Sequence, residues 1–271
     1  MTPALPYLLF LMLFFTFLKV SPRDLKLLPW HGIGLALQLL LAAGSYFLLS
    51  FSPVLAQAVM LCFLMPSATA APIIAAKLGG SIPNLTTYTV LTNLSTALIA
   101  PLAFAYVNPD GIAFWQATWS ILQRVSLVLL APLFTAWLIR FLASRVHNRQ
   151  SPIANRQSPI EIPFYLWMLT ILILMGNITY TLVHDTYAVR TAVYISVGAV
   201  ISCFLQFFIG HRLSADRVSA GQALGQKNTT LAIWMAQSFL NPLTALAPAV
   251  YMIVQNIYNA LQLRFHHTDK A

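Results

Sequence analysis

The chain contains very few charged residues. Only 8% of its 271 residues are charged and only six are acidic, whereas 59% are hydrophobic. A soluble domain carries about 25% charged residues, so this chain lacks the side chains that cover an ordinary soluble surface, which excludes a conventional soluble enzyme. The net charge of +9 does not favour nucleic-acid binding either, because the fifteen lysines and arginines are scattered between apolar segments and not gathered on one face.

Residues that build catalytic or metal sites are equally scarce. The two cysteines, Cys62 and Cys203, both lie in apolar runs, which favours small buried side chains over a disulfide or a metal pair. The six acidic residues and the six histidines fall in predicted loops or at the ends of apolar segments. This pattern offers no acid–base or metal constellation, so we predict no enzyme, no cofactor and no metal site.

Long apolar runs, by contrast, dominate the sequence. A helix that crosses a bilayer needs about 20 mostly apolar residues. Nine segments are candidates: 3–19, 30–50, 53–78, 84–107, 118–142, 162–183, 188–210, 213–240 and 243–264. The first run has no basic segment before it, which favours a spanning helix over a cleaved signal peptide. The predicted fold class is therefore an all-α membrane protein with about nine transmembrane helices.

The positive charges predict the orientation of these helices. If successive loops lie on alternate sides of the membrane, twelve of the fifteen lysines and arginines lie on the side opposite the N-terminus. Only Arg190 lies in a loop on the N-terminal side. Cytoplasmic loops carry the excess of positive charge, so we expect an outside N-terminus and a cytoplasmic C-terminus. The eighth segment is polar, but without it the C-terminal tail would change sides and the difference in positive charge between the two sides would become smaller. Arg124 follows Trp115 and Trp119, and we expect it to snorkel to the interface.

A polar loop marks the boundary between the predicted halves. Residues 148–154 (NRQSPIA) are followed directly by residues 155–161 (NRQSPIE), a tandem duplication of a heptapeptide. Its composition is typical of a tolerated flexible linker. We therefore divide the chain into 1–147, the cytoplasmic loop 148–161, and 162–271.

Two of the nine segments contain residues that break helices. Pro66 and Pro72 interrupt the third, and we expect Gly221 and Gly225 to loosen the eighth. Non-helical backbone inside a membrane persists only where protein or water satisfies its polar groups. Two interrupted helices in corresponding positions of two halves therefore indicate a transporter binding site.

The candidate substrate-binding residues lie at or after these breaks. Helix N-termini attract anions, and Thr69 and Asn228 stand beside the two new N-termini. A lysine at mid-bilayer costs about 2.5–3.5 kcal/mol, so we expect Lys227 to occupy a polar cavity, with snorkelling to an interface as the alternative. A weak internal echo relates Thr92–Leu98 to Gln255–Leu261 through an Asn and an Ala-Leu pair. The predicted set is Thr69, Asn93, Gln226, Lys227, Asn228, Thr229 and Asn256.

Several segments carry a resemblance to a known family. Met65–Pro101 resembles the proline-containing crossover helix and the following Ser/Thr-rich helix of the bile acid:sodium symporter family, and Gly225–Leu231 resembles its second crossover. Ala247–Ile257 and Pro6–Asp24 resemble its last helix and its first conserved helix and loop. The resemblance is distant but covers nearly the whole chain. It implies two inverted repeats, the first lacking a helix, with spans 3, 4, 8 and 9 as a core domain that rocks against a panel of spans 1, 2, 5, 6 and 7.

The departures from that family concern its sodium sites. Where the resemblance places oxygen ligands, this chain has Ala71, Pro72, Ala223 and Lys227. An ammonium can take the place of a cation as a positive charge. We therefore expect a divergent carrier in a bacterial inner (plasma) membrane, which moves a small organic anion with its sodium coupling lost or altered. The alternative is a membrane sensor or binding protein that keeps the carrier fold without transport.

Overall fold

The chain is built from helices throughout the part that can be described. The computed structural model describes residues 4–18, 20, 22, 25–107, 113–146, 161–184 and 189–268. Eleven α-helices lie in these ranges: α1 (Leu5–Phe17), α2 (Pro29–Leu48), α3 (Pro53–Leu64), α4 (Ala71–Lys77), α5 (Ile82–Val107), α6 (Phe114–Val146), α7 (Glu161–His184), α8 (Val189–Leu213), α9 (Arg217–Gly225), α10 (Thr229–Phe239) and α11 (Leu246–Thr268). A short 3₁₀ helix, Pro242–Ala245, precedes α11. The predicted all-α class is confirmed.

Four of these helices are long and apolar enough to cross a membrane. They are α2, α5, α8 and the portion Phe114–Ala143 of α6, whereas α1, α3 and Met168–Tyr180 within α7 are apolar but shorter. Large apolar side chains such as Phe47 and Leu172 lie exposed on the outer surface, as expected where lipid replaces water. These features indicate a helical membrane protein. The number of nine crossings and the orientation of the termini stay predictions.

The third and eighth predicted segments are each divided into two helices, as the sequence indicated. α3 ends at Leu64 and α4 begins at Ala71, so residues 65–70 are not helical. Pro72 lies at the start of α4, where its missing N–H costs no helical hydrogen bond. In the eighth segment α9 ends at Gly225 and α10 begins at Thr229. Both interruptions fall in the interior of the protein, because Ser67 and Lys227 are almost fully buried.

The expected role of the two glycines in the eighth segment is wrong in one respect. Gly221 lies inside α9, which stays helical until Gly225. A Cβ atom on Gly221 would lie 2.5 Å from the imidazole of His211, and one on Gly225 would overlap the ring of Phe207. The glycines therefore allow α9 to lie close against α8, and the helix is interrupted only after Gly225.

Several predicted boundaries differ from those observed. The segment 118–142 is part of the longer helix α6, and the segment 243–264 begins with the 3₁₀ turn and continues as α11 to Thr268. Hydropathy marks where a helix enters lipid, but the helix itself continues until a cap or a proline stops it. Arg124, on α6, is exposed, and its snorkelling to an interface stays a prediction. Residues 148–160, most of the duplicated loop, lie outside the described residues.

The helices pack so that the two interruptions are enclosed. α9 lies against α8, α4 and α5, while α3 lies between α2 and α8 and also contacts α11. α10 packs on α11 and α7, and α1 lies against α6 and α7. Asp216 caps the start of α9 by accepting a hydrogen bond from the Ser219 N–H at 3.0 Å. This packing brings α3, α4, α9 and α10 to one central point, where the candidate site lies.

Candidate functional site

The two interrupted helices cross at their non-helical segments. The Ala68 N–H donates a hydrogen bond to the carbonyl of Gln226 at 2.8 Å, and the Asn228 N–H donates one to the carbonyl of Pro66 at 2.9 Å. This reciprocal pair is the antiparallel bridge between Ser67 and Lys227. Buried backbone N–H and C=O groups must be paired. Each interruption therefore supplies hydrogen-bond partners for backbone groups of the other. Residues 65–70 and 226–228 are therefore one structural unit, which we call the crossing.

Two further helices complete the pairing with side chains. The Ser67 N–H donates to the hydroxyl of Thr92 on α5 at 3.1 Å. Gln255 on α11 bonds to the backbone of the other segment of the crossing: its Oε1 accepts from the Lys227 N–H at 2.9 Å, and its Nε2 donates to the Lys227 carbonyl at 3.2 Å. Thr92 and Gln255 are also matching positions in the internal sequence echo. The two halves of the chain thus support the crossing in the same manner.

The ends of the broken helices are held by a second set of polar side chains. Gln38 on α2 donates to the Met65 carbonyl at 3.2 Å. On the other side, the Tyr251 hydroxyl donates to the Gly225 carbonyl at 2.8 Å and accepts from Gln206 on α8 at 3.1 Å. Gln38 and Gln206 therefore act as hydrogen-bond partners between helices, a common role for amide side chains within membrane helices.

Lys227 lies in the crossing with its side chain enclosed. Only 1% of the residue is exposed, and its Nζ atom has no hydrogen-bond partner among the described residues. Its electrostatic neighbour is the Cys62 thiol on α3. Asp216, at the start of α9, is the one acidic residue whose side chain falls within the described part, and it is used as a helix cap. The alternative in which Lys227 snorkels to an interface is therefore wrong.

A cavity of about 180 Å³ adjoins the crossing. Its polar lining comes from both breaks, from the first turn of α10 and from one face of α11, whereas Met12, Ile74 and Met252 supply apolar walls. The polar residues that line it are Thr69, Gln226, Lys227, Asn228, Thr229, Thr230, Gln255 and Asn256. The cavity is therefore lined mainly by hydroxyl and amide groups, with Lys227 contributing to the wall at the crossing.

Six of the seven predicted site residues lie together at this cavity. They are Thr69, Gln226, Lys227, Asn228, Thr229 and Asn256. The seventh, Asn93, does not line it: its Nδ2 donates to the Thr89 carbonyl at 2.7 Å within α5, and its Oδ1 is buried with no partner in the described part of the chain. Asn93 belongs to the packing around the crossing on the α5 side.

The sequence analysis missed Gln255 and Thr230. Gln255 supports the Lys227 backbone and lines the cavity, while Thr230 lies in the first turn of α10. The internal echo contained the signal for Gln255, since it paired Gln255 with Thr92 in the position before each asparagine. We chose the two asparagines because they are identical. The support for the crossing lies one residue earlier in each half.

Asn228 has a structural role besides its place in the cavity. Its side chain caps α10 by accepting a hydrogen bond from the Leu231 N–H at 3.2 Å. Gln226, on the other side of Lys227, accepts from Asn259, and Gln222 donates to Asn259 at 3.0 Å and to Gln262 at 2.9 Å. These buried amides form a continuous polar seam between α9 and α11. The seam fixes the Gln226 side chain beside the crossing.

Comparison with protein-family models found no matching family, and comparison with curated proteins found no matching relative.

Proposed function

We propose that this protein is a secondary transporter that moves a small organic anion by alternating access. The observation that carries the proposal is the meeting of two interrupted helices around a buried lysine, beside a polar cavity. Interrupted helices that meet in the membrane interior form the binding sites of many secondary transporters. The proposal includes nine crossings, an outside N-terminus and a place in a bacterial inner (plasma) membrane.

The symmetry of the crossing supports two inverted repeats. Ser67 and Lys227 are partners in one bridge, and each has its N–H bonded to a side chain from a following helix, Thr92 or Gln255. In this scheme α3, α4, α5, α9, α10 and α11 form the core domain, and α1, α2, α6, α7 and α8 form the panel. The cavity is lined by the core except at Met12 of α1, so it lies at the boundary where a rocking motion would open and close it.

An anion is the ligand that this lining favours. The Lys227 amine has no acceptor among the described residues, and in this proposal it supplies a positive charge. The N-terminus of α10 also lies at the cavity, and the dipole of the helix attracts negative charge there. Thr69, Thr229 and Asn256 also line the cavity, and their hydroxyl and amide groups can donate hydrogen bonds to oxygen atoms of the anion. These groups together suit a carboxylate or a sulfonate.

The cavity volume suggests which anions to test first. An engineered protein cavity of about 150 Å³ holds benzene, and the partly open cavity beside the crossing has a volume of about 180 Å³. Small carboxylates such as pyruvate, lactate or glycolate fit within this volume, whereas a bile acid would extend beyond it. The proposal therefore takes small carboxylates or sulfonates as its first ligands.

Sodium coupling is not supported by the residues near the crossing. Ala71 and Ala223 are buried and carry no side-chain oxygen, and Lys227 stands at a position where the family resemblance implies an oxygen ligand. Sodium requires several oxygen ligands and benefits from a carboxylate. The proposed transport cycle therefore does not require a sodium gradient.

A thermal-shift screen of the purified protein in detergent tests the binding part of the proposal. We expect pyruvate, lactate or a similar small carboxylate to raise the unfolding temperature equally in sodium and in potassium buffers, and taurocholate to have no effect. Stabilisation that occurs only with sodium would contradict the proposal. Binding without uptake into proteoliposomes would instead favour the alternative, a membrane sensor with a carrier fold.

A further inference from the structure

We propose that the protein binds an anionic phospholipid on its outer surface, at the end where α8 and α11 finish and α9 begins. The phosphate of the lipid lies at exposed arginines there, and its acyl chains lie on the apolar surface beside them. The proposal concerns residues outside the crossing and its cavity, so it does not depend on the proposed carrier function.

The contacts between α8 and α11 bring the ends of the two helices together. Gln206 on α8 donates to the Tyr251 hydroxyl on α11 at 3.1 Å. Five residues further along α8, the His211 ring lies 3.4 Å from the hydroxyl of Tyr258, which is seven residues further along α11. The two helices therefore run in the same direction, and the residues that follow His211 and Tyr258 lie at the same end of the protein.

Three helices each place one arginine at this end. Arg212 follows His211 directly, Arg217 begins α9, and Arg264 lies two residues after Gln262, whose Nε2 is 3.5 Å from the His211 ring. The His211 Nδ1 donates to the Arg217 carbonyl at 2.9 Å, which holds the start of α9 beside the end of α8. All three arginines are exposed. This end is also the predicted cytoplasmic end.

The positive charge at this end has no counterpart in the described part of the chain. Asp216 is the one acidic residue whose side chain is described, and it caps α9 by accepting from the Ser219 N–H at 3.0 Å. Arg212 donates to the Phe208 carbonyl at 3.4 Å. Neither Arg212 nor Arg217 forms an ion pair within the described ranges. Their guanidinium groups are therefore available to an external anion.

An exposed apolar surface lies beside the arginines. Phe204, Phe208 and Arg212 are spaced four residues apart on α8, so they share one face of the helix. Phe204 is 49% exposed and Phe208 is 55% exposed, and Leu261 on α11 is 46% exposed. The Phe204 ring lies edge-on to the ring of Tyr258 on α11, with centroids 6.0 Å apart. The apolar side chains of α8 and α11 thus form one surface, which reaches Arg212.

The position of Arg212 joins the charged part of this surface to the apolar part. Its guanidinium carbon lies 3.5 Å from the centroid of the Phe208 ring, so the apolar surface ends directly at a positive charge. A guanidinium presents a planar fork of N–H donors that matches phosphate oxygens, and basic pockets between membrane helices bind anionic headgroups. A soluble phosphate would contact only the arginines, whereas a phospholipid also covers the phenylalanines. An anionic phospholipid therefore fits both parts.

Lipid binding to the purified full-length protein in detergent tests the proposal. Native mass spectrometry measures the binding of dioleoylphosphatidylglycerol and of dioleoylphosphatidylcholine over a concentration series. We expect one phosphatidylglycerol to bind at least tenfold more tightly than phosphatidylcholine. The double variant Arg212→Gln/Arg217→Gln should weaken phosphatidylglycerol binding by more than tenfold, since each basic residue near an anionic lipid contributes roughly fivefold. Its binding of phosphatidylcholine should not change, which serves as the check on folding.

Arg190→Gln is the matched control. Arg190 lies near the opposite end of α8, and its guanidinium carbon is also over an aromatic ring, 5.9 Å from the centroid of Tyr194. This variant should bind phosphatidylglycerol as tightly as the wild type. Equal affinity of the wild type for the two lipids would overturn the proposal, as would equal weakening by Arg190→Gln and by the double variant. Displacement of the lipid by an equal concentration of glycerol phosphate would also overturn it, because the arginines would then bind a soluble anion.

Discussion

At the scale of single residues, Ser67 and Lys227 hold equivalent places but differ in chemistry. Each lies in the non-helical part of a broken helix, and each is bonded through its backbone to the other half of the crossing or to a supporting helix. The Ser67 hydroxyl has acceptors nearby, since it donates to the Gln226 carbonyl at 3.4 Å. The Lys227 amine has none among the described residues. This difference makes Lys227 the residue of the crossing to substitute first.

Replacement of Lys227 by methionine tests that conclusion. Methionine keeps the length of the side chain and removes the charge. Hydrogen bonds to charged groups contribute about 1.5–3 kcal/mol, which corresponds to roughly a tenfold to hundredfold increase in the Kd of the anion. We expect the unfolding temperature without ligand to stay the same or to rise, because an unpartnered buried amine is removed. Anion titration by calorimetry measures the change in Kd. An unchanged Kd would show that Lys227 does not bind the anion and has only a structural role.

Thr69 and Asn228 should affect affinity less than Lys227 does. Thr69→Val removes one hydroxyl from the cavity wall and should weaken anion binding by about 1 kcal/mol. Asn228→Ala removes a helix cap as well, which costs about 1 kcal/mol of stability. Asn228→Ser keeps a capping oxygen and is therefore the matched variant for binding. Calorimetry of each purified variant, with its unfolding temperature as control, distinguishes loss of contact from loss of the cap.

At the scale of elements, α11 presents two adjacent amides with different roles. Gln255 is buried and pairs with both backbone groups of Lys227, whereas Asn256 is exposed and lines the cavity. Gln255→Leu leaves the buried Lys227 N–H unpaired, at about 1–3 kcal/mol, whereas the Lys227 carbonyl keeps the hydrogen bond from the Thr229 N–H at 3.0 Å. We expect a clear fall in unfolding temperature for Gln255→Leu and little change for Asn256→Leu. Equal stability of the two variants would show that the crossing does not depend on α11.

The close approach of α8 and α9 gives a second prediction for the elements. A Cβ atom on Gly210 would lie 2.5 Å from the Ala220 carbonyl oxygen, which belongs to the backbone of α9. Because backbone cannot rotate away, Gly210→Ala should cost about 1–3 kcal/mol through overpacking. Gly44→Ala is the control, since open space surrounds a Cβ there. A fall in unfolding temperature for Gly210→Ala alone is the expected result, and an equal response of the two variants would contradict it.

The sequence predicted some elements well for identifiable reasons. Pro66 and Pro72 act locally on the backbone, so the interruption between α3 and α4 could be predicted. Gly221 permits a helix as well as a break, and only contact with His211 explains its presence. Thr92 and Gln255 both accept a hydrogen bond from a backbone N–H of the crossing but have different side chains. Their common role therefore could not be predicted from residue identity, whereas Asn93 and Asn256 are identical. Pairings between distant segments, such as that of Ser67 with Lys227, have no signal in one sequence.

At the scale of the whole molecule, the proposed cycle requires the core to move relative to the panel. The cavity touches the panel at Met12 of α1, whereas α8 packs on α3, α9 and α11. Gln206 on α8 even bonds the Cys62 carbonyl on α3 at 3.1 Å. A rocking motion must therefore exchange the contacts of α8, while the crossing moves as a rigid unit. The glycine contacts between α8 and α9 lie on this boundary.

Counterflow in proteoliposomes tests the central claim most directly. The vesicles contain the unlabelled small carboxylate that stabilises the protein most, and the labelled compound is added outside in sodium-free buffer. We predict that wild-type protein accumulates label without sodium, that Lys227→Met does so at least tenfold more slowly, and that Lys77→Met matches the wild type. The proposed sodium-independent transport would be contradicted if label entered only in the presence of sodium. The proposed role of Lys227 would be contradicted if label entered equally fast through Lys227→Met.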